Sequence, residues 1–333
     1  MDHIIQFENV TKEFGKHKAL NGVSYEVPRG VVFALLGENG AGKTTSIRTM
    51  LGLETPTTGT VNVLGLNSQK QGLAVRRQIG YVPEQPSLYD WMTIGEIGWF
   101  TAGFYPDGFL ANFYKLMEAA DLPLKKKIKS LSKGMKAKVS LALAMAHTPD
   151  LLILDEPTSG LDTLVRRNFL ESMVDVAADN RTVFLSSHQI PEVERVADIV
   201  GIMNGGKLLV CEPLEHLKSR LEQWTITLNP GTSQLPAVVH DNLNVLFHEN
   251  DGRQVKLTVS HPANDALWQL REHPAIAEIA VHVPSLEEIF VTFIRKGEQD
   301  QSSPGNTGST PETDSHTPVA LEQQNSGSGG SNE

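Results

Sequence analysis

Short apolar runs alternate with longer stretches of helical periodicity from the first residues to about residue 222. Residues 31–36, 79–82, 151–154 and 182–185 are almost wholly apolar and are bounded by Gly, Pro or polar positions. Runs without polar alternation suit strands buried on both faces, as in a largely parallel sheet. Residues 198–203 and 207–210, separated by Asn204-Gly205-Gly206, predict a hairpin closed by a tight turn. Between residues 86 and 130 the texture changes to aromatic-rich and helical, which predicts an inserted helical subdomain over about 86–140.

After residue 222 the pattern restarts. Residues 224–228, 245–248, 255–259 and 279–283 predict strands, and 263–272 a helix. A last helix is expected over 285–295, where Ser285 and Glu288 have the spacing of a capping box. The expected organisation is an α/β unit over residues 1–222, a small α+β unit over 223–297, and a tail over 298–333. The tail is rich in Ser, Gly, Gln, Asn, Thr and Pro and poor in large apolar residues. It cannot bury enough surface to offset its ordering entropy, so it is expected to be disordered.

Composition narrows the classes. With 333 residues, 40% of them hydrophobic, the chain is globular and large enough for a sizeable core. Net charge is −10, but residues 298–333 hold six acidic residues and no Lys or Arg, which leaves −4 on residues 1–297. A mildly acidic body lacks a broad electrostatic footprint for DNA or RNA, and no nucleic-acid partner is expected. The basic cluster Lys125-Lys126-Lys127-Ile128-Lys129 is short, lacks interleaved aromatics, and reads as a solvated face. The single cysteine, Cys211, excludes an internal disulfide and a Cys-based zinc cage and fits a reducing compartment. Neither a signal peptide nor a run of 18 apolar residues is present, so a membrane role is expected only through a partner.

Gly37-Glu38-Asn39-Gly40-Ala41-Gly42-Lys43-Thr44 matches G-x-x-x-x-G-K-[ST] between an expected strand and an expected helix. In that context backbone N–H groups and the helix N-terminus make a cradle for phosphates. Lys43 supplies a point charge for the β/γ-phosphates and the Thr44 hydroxyl a ligand for Mg²⁺, and Thr45 is expected with residues 37–44 among the nucleotide-binding positions. Nucleotide binding follows, and the absence of an Asn-Lys-x-Asp guanine reader lowers the GTPase option. At the end of the run 151–154, Asp155 stands where a carboxylate would hold Mg²⁺ and Glu156 where one would polarise the attacking water.

Further motifs carry a family resemblance. Leu131-Ser132-Lys133-Gly134-Met135 resembles the signature of the ATP-binding cassette (ABC) ATPases, Ser159-Gly160-Leu161-Asp162 their D-loop, and His188 after Ser186-Ser187 their switch histidine. Phe14 stands where an aromatic commonly stacks on adenine. The resemblance covers about residues 3–222. It implies a P-loop NTPase fold of the ABC type: a mixed sheet flanked by helices, with the helical subdomain inserted. It also implies ATP and Mg²⁺ as ligands, and two cassettes paired head to tail, as a homodimer or with a paralogue. Each ATP would lie between one P-loop and the other subunit's Ser132 and Gly134, with Asp162 helping to link the sites. Two departures stand out. Lys133 and Met135 replace the usual Gly and Gln of the signature. Glu84 occupies the usual Q-loop glutamine position with Gln85 next, and either could approach Mg²⁺ or water.

The aromatic stretch from Pro86 to Tyr105, with Tyr89, Trp91, Met92, Ile94, Trp99, Phe100, Phe104 and Tyr105, suits docking of a partner as well as packing of the subdomain's own core. Val283-Pro284-Ser285-Leu286-Glu287-Glu288-Ile289-Phe290 resembles the ending of ATPase subunits that pair with ABC-2-type permeases. The expected role is ATP hydrolysis driving export through a separate membrane permease, at the cytoplasmic face of the cell membrane. A second reading, a soluble ABC ATPase switching on ribosomes or DNA without transport, generally goes with two cassettes, a coiled-coil insertion or a basic surface. A third, a subunit that binds ATP but barely hydrolyses it, is supported only by the altered signature.

Overall fold

The computed structural model describes residues 3–232, 235–236, 243–261 and 264–302. Its centre is a six-stranded sheet in the order β10-β9-β3-β8-β7-β6. Here β3 is Val32–Gly37, β6 Ile79–Val82, β7 Leu151–Asp155, β8 Thr182–Ser187, β9 Ile199–Asn204 and β10 Lys207–Pro213. All neighbours are parallel except β9 and β10, the expected hairpin. Every residue of β3, β7 and β8 is buried, so their near-continuous apolar character follows from burial on both faces.

One face is covered by an antiparallel sheet in the order β2-β1-β4-β5, of which sequence periodicity gives little sign. Its strands are β1 His3–Phe14, β2 His17–Pro28, β4 Thr58–Val63 and β5 Leu66–Asn67. A file of stacked rings ties it to the central sheet: Phe7 on Tyr25 (4.5 Å), Tyr25 on Phe33 (5.6 Å) and Phe33 on Phe184 (5.2 Å). Such offset contacts add roughly 0.5–1.5 kcal/mol each beyond the area they bury. Helix α1, Lys43–Met50, lies in this layer through Ile47 and Met50, and α2, Gly72–Gln78, leads into β6. The helical insert contains α3 Ile94–Ala102, α4 Phe109–Ala119 and α5 Lys133–Met145 around a core of its own centred on Phe113. Thr93 caps α3 in a complete capping box with Glu96, and these hydrogen bonds hold the Glu96 carboxyl below its usual pKa.

The opposite face carries α6 Thr163–Ala178, α7 Ile190–Val193 and α8 Leu214–Ser219. Beyond α8, β11 Leu221–Leu228, β12 Asn244–Asp251, β13 Gln254–Ser260 and β14 Ile276–His282 form an antiparallel sheet in the order β12-β13-β11-β14. Helix α9, Asn264–Arg271, packs Ala266 and Leu270 on its Trp224 face. The final helix, α10, is Leu286–Ser302 and starts at the expected Ser285–Glu288 capping box.

Two expectations need correction here. The helix continues through Ser302, past residue 298 at which the tail was expected to begin; the rest of the tail lies outside the described residues. The apolar stripe of α10, with Leu286, Ile289, Phe290 and Ile294, also joins the core under the central sheet rather than that of the C-terminal sheet. A buried hydroxyl contact of 3.1 Å between Thr292 and Thr258 ties its other side to β13. The last helix of the expected C-terminal unit is thus built into the main α/β body.

Candidate functional site

The loop between β3 and α1 must turn sharply while touching β2. At Gly42 φ is 108°, and a Cβ there would lie 2.5 Å from the Ala19 carbonyl oxygen. Only glycine meets both conditions. Behind the loop, Lys43 is 6% exposed and its Nζ donates to the carbonyls of Gly37 (2.7 Å) and Glu38 (3.2 Å). The ammonium also stands 3.1 Å from Glu156 Oε1, close enough to be its counter-charge although off the hydrogen-bonding direction. Thr44 Oγ1 donates to Asp155 Oδ1 over 3.2 Å, and Ser186 Oγ donates to the same oxygen over 2.7 Å.

Glu156 follows the last residue of β7 with φ at 47°, a left-handed conformation that a non-glycine residue adopts at a cost of roughly 1–3 kcal/mol. Its N–H donates to the Ser186 carbonyl (3.2 Å) and Oγ (3.1 Å), so the end of β8 holds the strained turn. The carboxylate is buried. Oε2 accepts from the His188 N–H at 3.3 Å and meets His188 Nδ1 at 2.8 Å, while the imidazole is otherwise 44% exposed. Ser186 belongs to the motif that announces His188, but its position in that motif does not reveal its bonds to Asp155 and Glu156.

Lys43, Thr44, Glu156 and His188 open onto a cavity of about 490 Å³. The loop contributes Glu38, Asn39, Gly40, Gly42, Lys43, Thr44 and Thr45, while Glu84, Glu156 and His188 stand opposite. Gly37 and Ala41 shape the loop from behind, with the Ala41 carbonyl accepting from Gly206 N–H. Phe14 lies at the rim, 47% exposed, with the Lys12 ammonium 4.7 Å from its ring centroid. His17 and Ser159 line the same cavity and are additions to the sequence-based set. Of the two Q-loop candidates, Glu84 lines this cavity; Gln85 lines a neighbouring one beside Lys133 and Lys136. A hydroxyl on Thr44 with carboxylates on Asp155 and Glu84 is the hard-oxygen donor set that Mg²⁺ takes, so the residues fit that cation. Among the described residues no cluster of three or more His, Cys, Asp or Glu could hold a metal unaided, so substrate oxygens would have to complete its coordination.

Ser132, Gly134 and Asp162 do not line this cavity. Ser132 caps α5 by accepting from Met135 N–H (3.3 Å), and Asp162 caps α6 by accepting from Val165 N–H (3.0 Å). The two N-termini adjoin closely, since a Cβ on Gly134 would come within 2.9 Å of Val165 Cγ1. On the helical insert Trp91, Trp99 and Phe104 are each at least 67% exposed, and Tyr89 bridges Trp91 and Phe100 by ring contacts of 6.0 and 5.9 Å. Met92 and Ile94, grouped with these by sequence, are buried in the insert's core instead. Tyr105 stacks on Phe109 and His147.

Residues 20–159 match the family described as ABC transporter. Over 304 residues the chain is 37% identical to the bacitracin transport ATP-binding protein BcrA of Bacillus licheniformis, covering 89% of this chain and 99% of that one. It is 30% identical to the linearmycin resistance ATP-binding protein LnrL of Bacillus subtilis (strain 168), covering 87% of this chain and 98% of that one. Among solved structures, an ATP-binding subunit of an ABC transporter superposes with a TM-score of 0.60 at 30% identity, over 65% of this chain and 92% of its own.

Proposed function

The chain belongs to the ABC transporter family of ATPases, and from that premise we propose that it powers export through a separate ABC-2-type permease, pairing with a second ATPase subunit around ATP. The observation that carries the reading is the convergence of Lys43, Thr44, Glu156 and His188 on one cavity, with Asp155 bonded to Thr44 behind it. Similarity to relatives named for bacitracin transport and linearmycin resistance, along nearly their whole length, supports an exporter. No described helix is long and apolar enough to cross a membrane, and the exposed Trp91, Trp99 and Phe104 offer a surface for a partner that does.

The chemistry follows from the contacts. Backbone N–H groups of the loop and the α1 N-terminus bind the triphosphate, and Phe14 stacks on the base. Lys43 exchanges its carbonyl partners and Glu156 for phosphate oxygens. Glu156, released on one oxygen, accepts a proton from water as the water oxygen bonds to the γ-phosphorus and the bond to the β-phosphate oxygen breaks. His188, hydrogen-bonded to Glu156, fixes that carboxylate and faces the γ-phosphate. Mg²⁺, when bound, neutralises phosphate charge, and Thr44, Asp155 and Glu84 are the residues that would hold it. Ser132 Oγ–H and the α5 N-terminus would complete the partner subunit's site, with Asp162 at the join.

Lys43→Ala is the direct test, because backbone donors alone cannot replace the lost charge. Loss of ATP binding is expected in a fluorescent-nucleotide titration, and unchanged affinity would overturn the site. Co-purification of the tagged chain from gently solubilised membranes tests the transport reading. A stoichiometric multi-span protein is expected, whereas recovery only with ribosomes or DNA-binding proteins would reject it.

A further inference from the structure

Strand β14 is the open edge of the C-terminal sheet. On its inner side it pairs with β11, Trp224 opposite Val281, Thr225 opposite Ala280 and Ile226 opposite Ile279. On its outer side it has no strand partner among the described residues. The sheet's other edge is managed differently: α10 packs against β12, with Arg295 bonded to Glu249 at 3.2 Å and lying 5.1 Å from the Phe247 ring centroid. Among the described residues no such element covers the outer edge of β14. Ala277, Glu278, Ala280, Val281 and His282 are all exposed, and Val283 just beyond is 63% exposed.

Soluble proteins guard exposed edges with Lys, Pro, bulges or inward charges, since a row of free N–H and C=O groups recruits another strand. From Ile276 to His282 the edge contains no Lys, Arg or Pro; its only ionisable side chains are Glu278 and His282. Those two residues specify a partner. In an antiparallel pair sharing one sheet, opposed residues must lie on the same face, so a twofold axis can pass only through a residue position. An axis at Ala280 sets Glu278 of each copy opposite His282 of the other, and Ile279 opposite Val281, twice over. Moving it to Ile279 sets Glu278 against Ala280 and His282 against Ile276; moving it to Glu278 opposes two carboxylates.

We propose that β14 is a seam between two copies of this chain, joined antiparallel about Ala280 into one eight-stranded sheet. The apolar gain lies on the Trp224 face, where Ile279 of one copy covers the exposed side of Val281 on the other. Trp268, 66% exposed on α9, belongs to the helix that packs against β14. The polar gain lies on the opposite face, where His282, already 3.6 Å from Glu288 of its own chain, acquires a second carboxylate in Glu278. A histidine facing a carboxylate across a strand pair favours this register, the axis at Ile279 loses that pairing, and opposed carboxylates disfavour the axis at Glu278. The seam uses no residue of the nucleotide cavity and therefore needs no nucleotide.

Cysteine cross-linking of the full chain in the absence of nucleotide tests it. Ala280→Cys places two thiols opposite each other at the axis, and a disulfide-linked dimer is expected on mild oxidation. Ala277→Cys places them on the order of 20 Å apart at strand spacing, so neither this variant nor the wild type, whose single Cys211 is half-buried and lies outside the seam, should cross-link. Charge reversal gives an independent reading by sedimentation. Ala280→Lys and Ala280→Glu should each weaken self-association on the order of tenfold, and mixing the two should restore it. The proposal is overturned if Ala280→Cys stays monomeric, if Ala277→Cys cross-links equally, or if cross-linking appears only with ATP. The last result would leave nucleotide-driven pairing intact while removing the seam.

Discussion

Ile289→Ala tests whether α10 is a working part of the nucleotide-binding body. Ile289 and Leu286 are fully buried, and with Phe290 and Ile294 they share a core with Val183 and Leu185 of β8, Val200 and Ile202 of β9, and Val193 of α7. Truncation removes three carbons from a closely packed site and leaves a cavity, a change that costs roughly 2–5 kcal/mol. For a body of this size each kcal/mol moves the midpoint by about 2–4 °C, so the variant should melt roughly 4–20 °C below wild type. The assay is thermal release of a bound fluorescent ATP analogue, which reports on the P-loop rather than on the C-terminal sheet. A fall in that release temperature is expected. An unmoved release temperature, with only a separate transition of the C-terminal sheet lowered, would refute the assignment of α10 to the main core.

Three further outcomes are expected. Glu156→Gln should slow hydrolysis by about 10²–10⁴-fold while retaining ATP, and so trap an ATP-bound dimer; a monomer at saturating Mg-ATP would count against a composite site. Trp91→Glu combined with Trp99→Glu should release the chain from membranes while leaving the ATPase rate of the isolated chain within about twofold; retention would show that the permease docks elsewhere. Burial holds the His147 imidazole below its ordinary pKa of 6.5, opposed in part by its 3.1 Å contact with the Ile79 carbonyl. The unfolded chain therefore takes up the proton first, so this contribution to stability is full above pH 6.5 and is lost as pH falls below it. His147→Gln should flatten that part of the pH profile in denaturant titrations, and an unchanged slope would remove His147 from the account.

What the sequence discloses and what it conceals divide along the range of the interactions. The P-loop is legible because strand, glycine turn, lysine and helix are contiguous, and phosphate recognition needs that local backbone. Glu156 and His188 are legible because β7 and β8 are continuous apolar runs that end at their polar residues. The antiparallel layer is not legible, because β1 finds its partner β4 some fifty residues away and the register shifts at bulges along both of its pairings. Sequence likewise marks Leu286, Ile289, Phe290 and Ile294 as an apolar face without saying which sheet receives them. Met92 and Ile94 share the composition of the exposed aromatic surface, yet the cap at Thr93 turns the chain so that both enter the core.

A contact of the same long-range kind joins Lys43 to Glu156. A buried lysine and a buried glutamate would each be costly alone, and side by side Lys43 and Glu156 offset one another's charge. In that arrangement one carboxylate oxygen of Glu156 faces an ammonium and the other a histidine. A triphosphate entering the loop brings oxygens that Lys43 prefers to backbone carbonyls, since hydrogen bonds between charged partners are the stronger ones. Drawing Lys43 onto phosphate would take the ammonium away from Glu156, while the bonds that its N–H donates to Ser186 hold the strained turn in place. On the proposed function, substrate binding and release of the base would be one event, with the ion pair between residues 43 and 156 as the element that joins them.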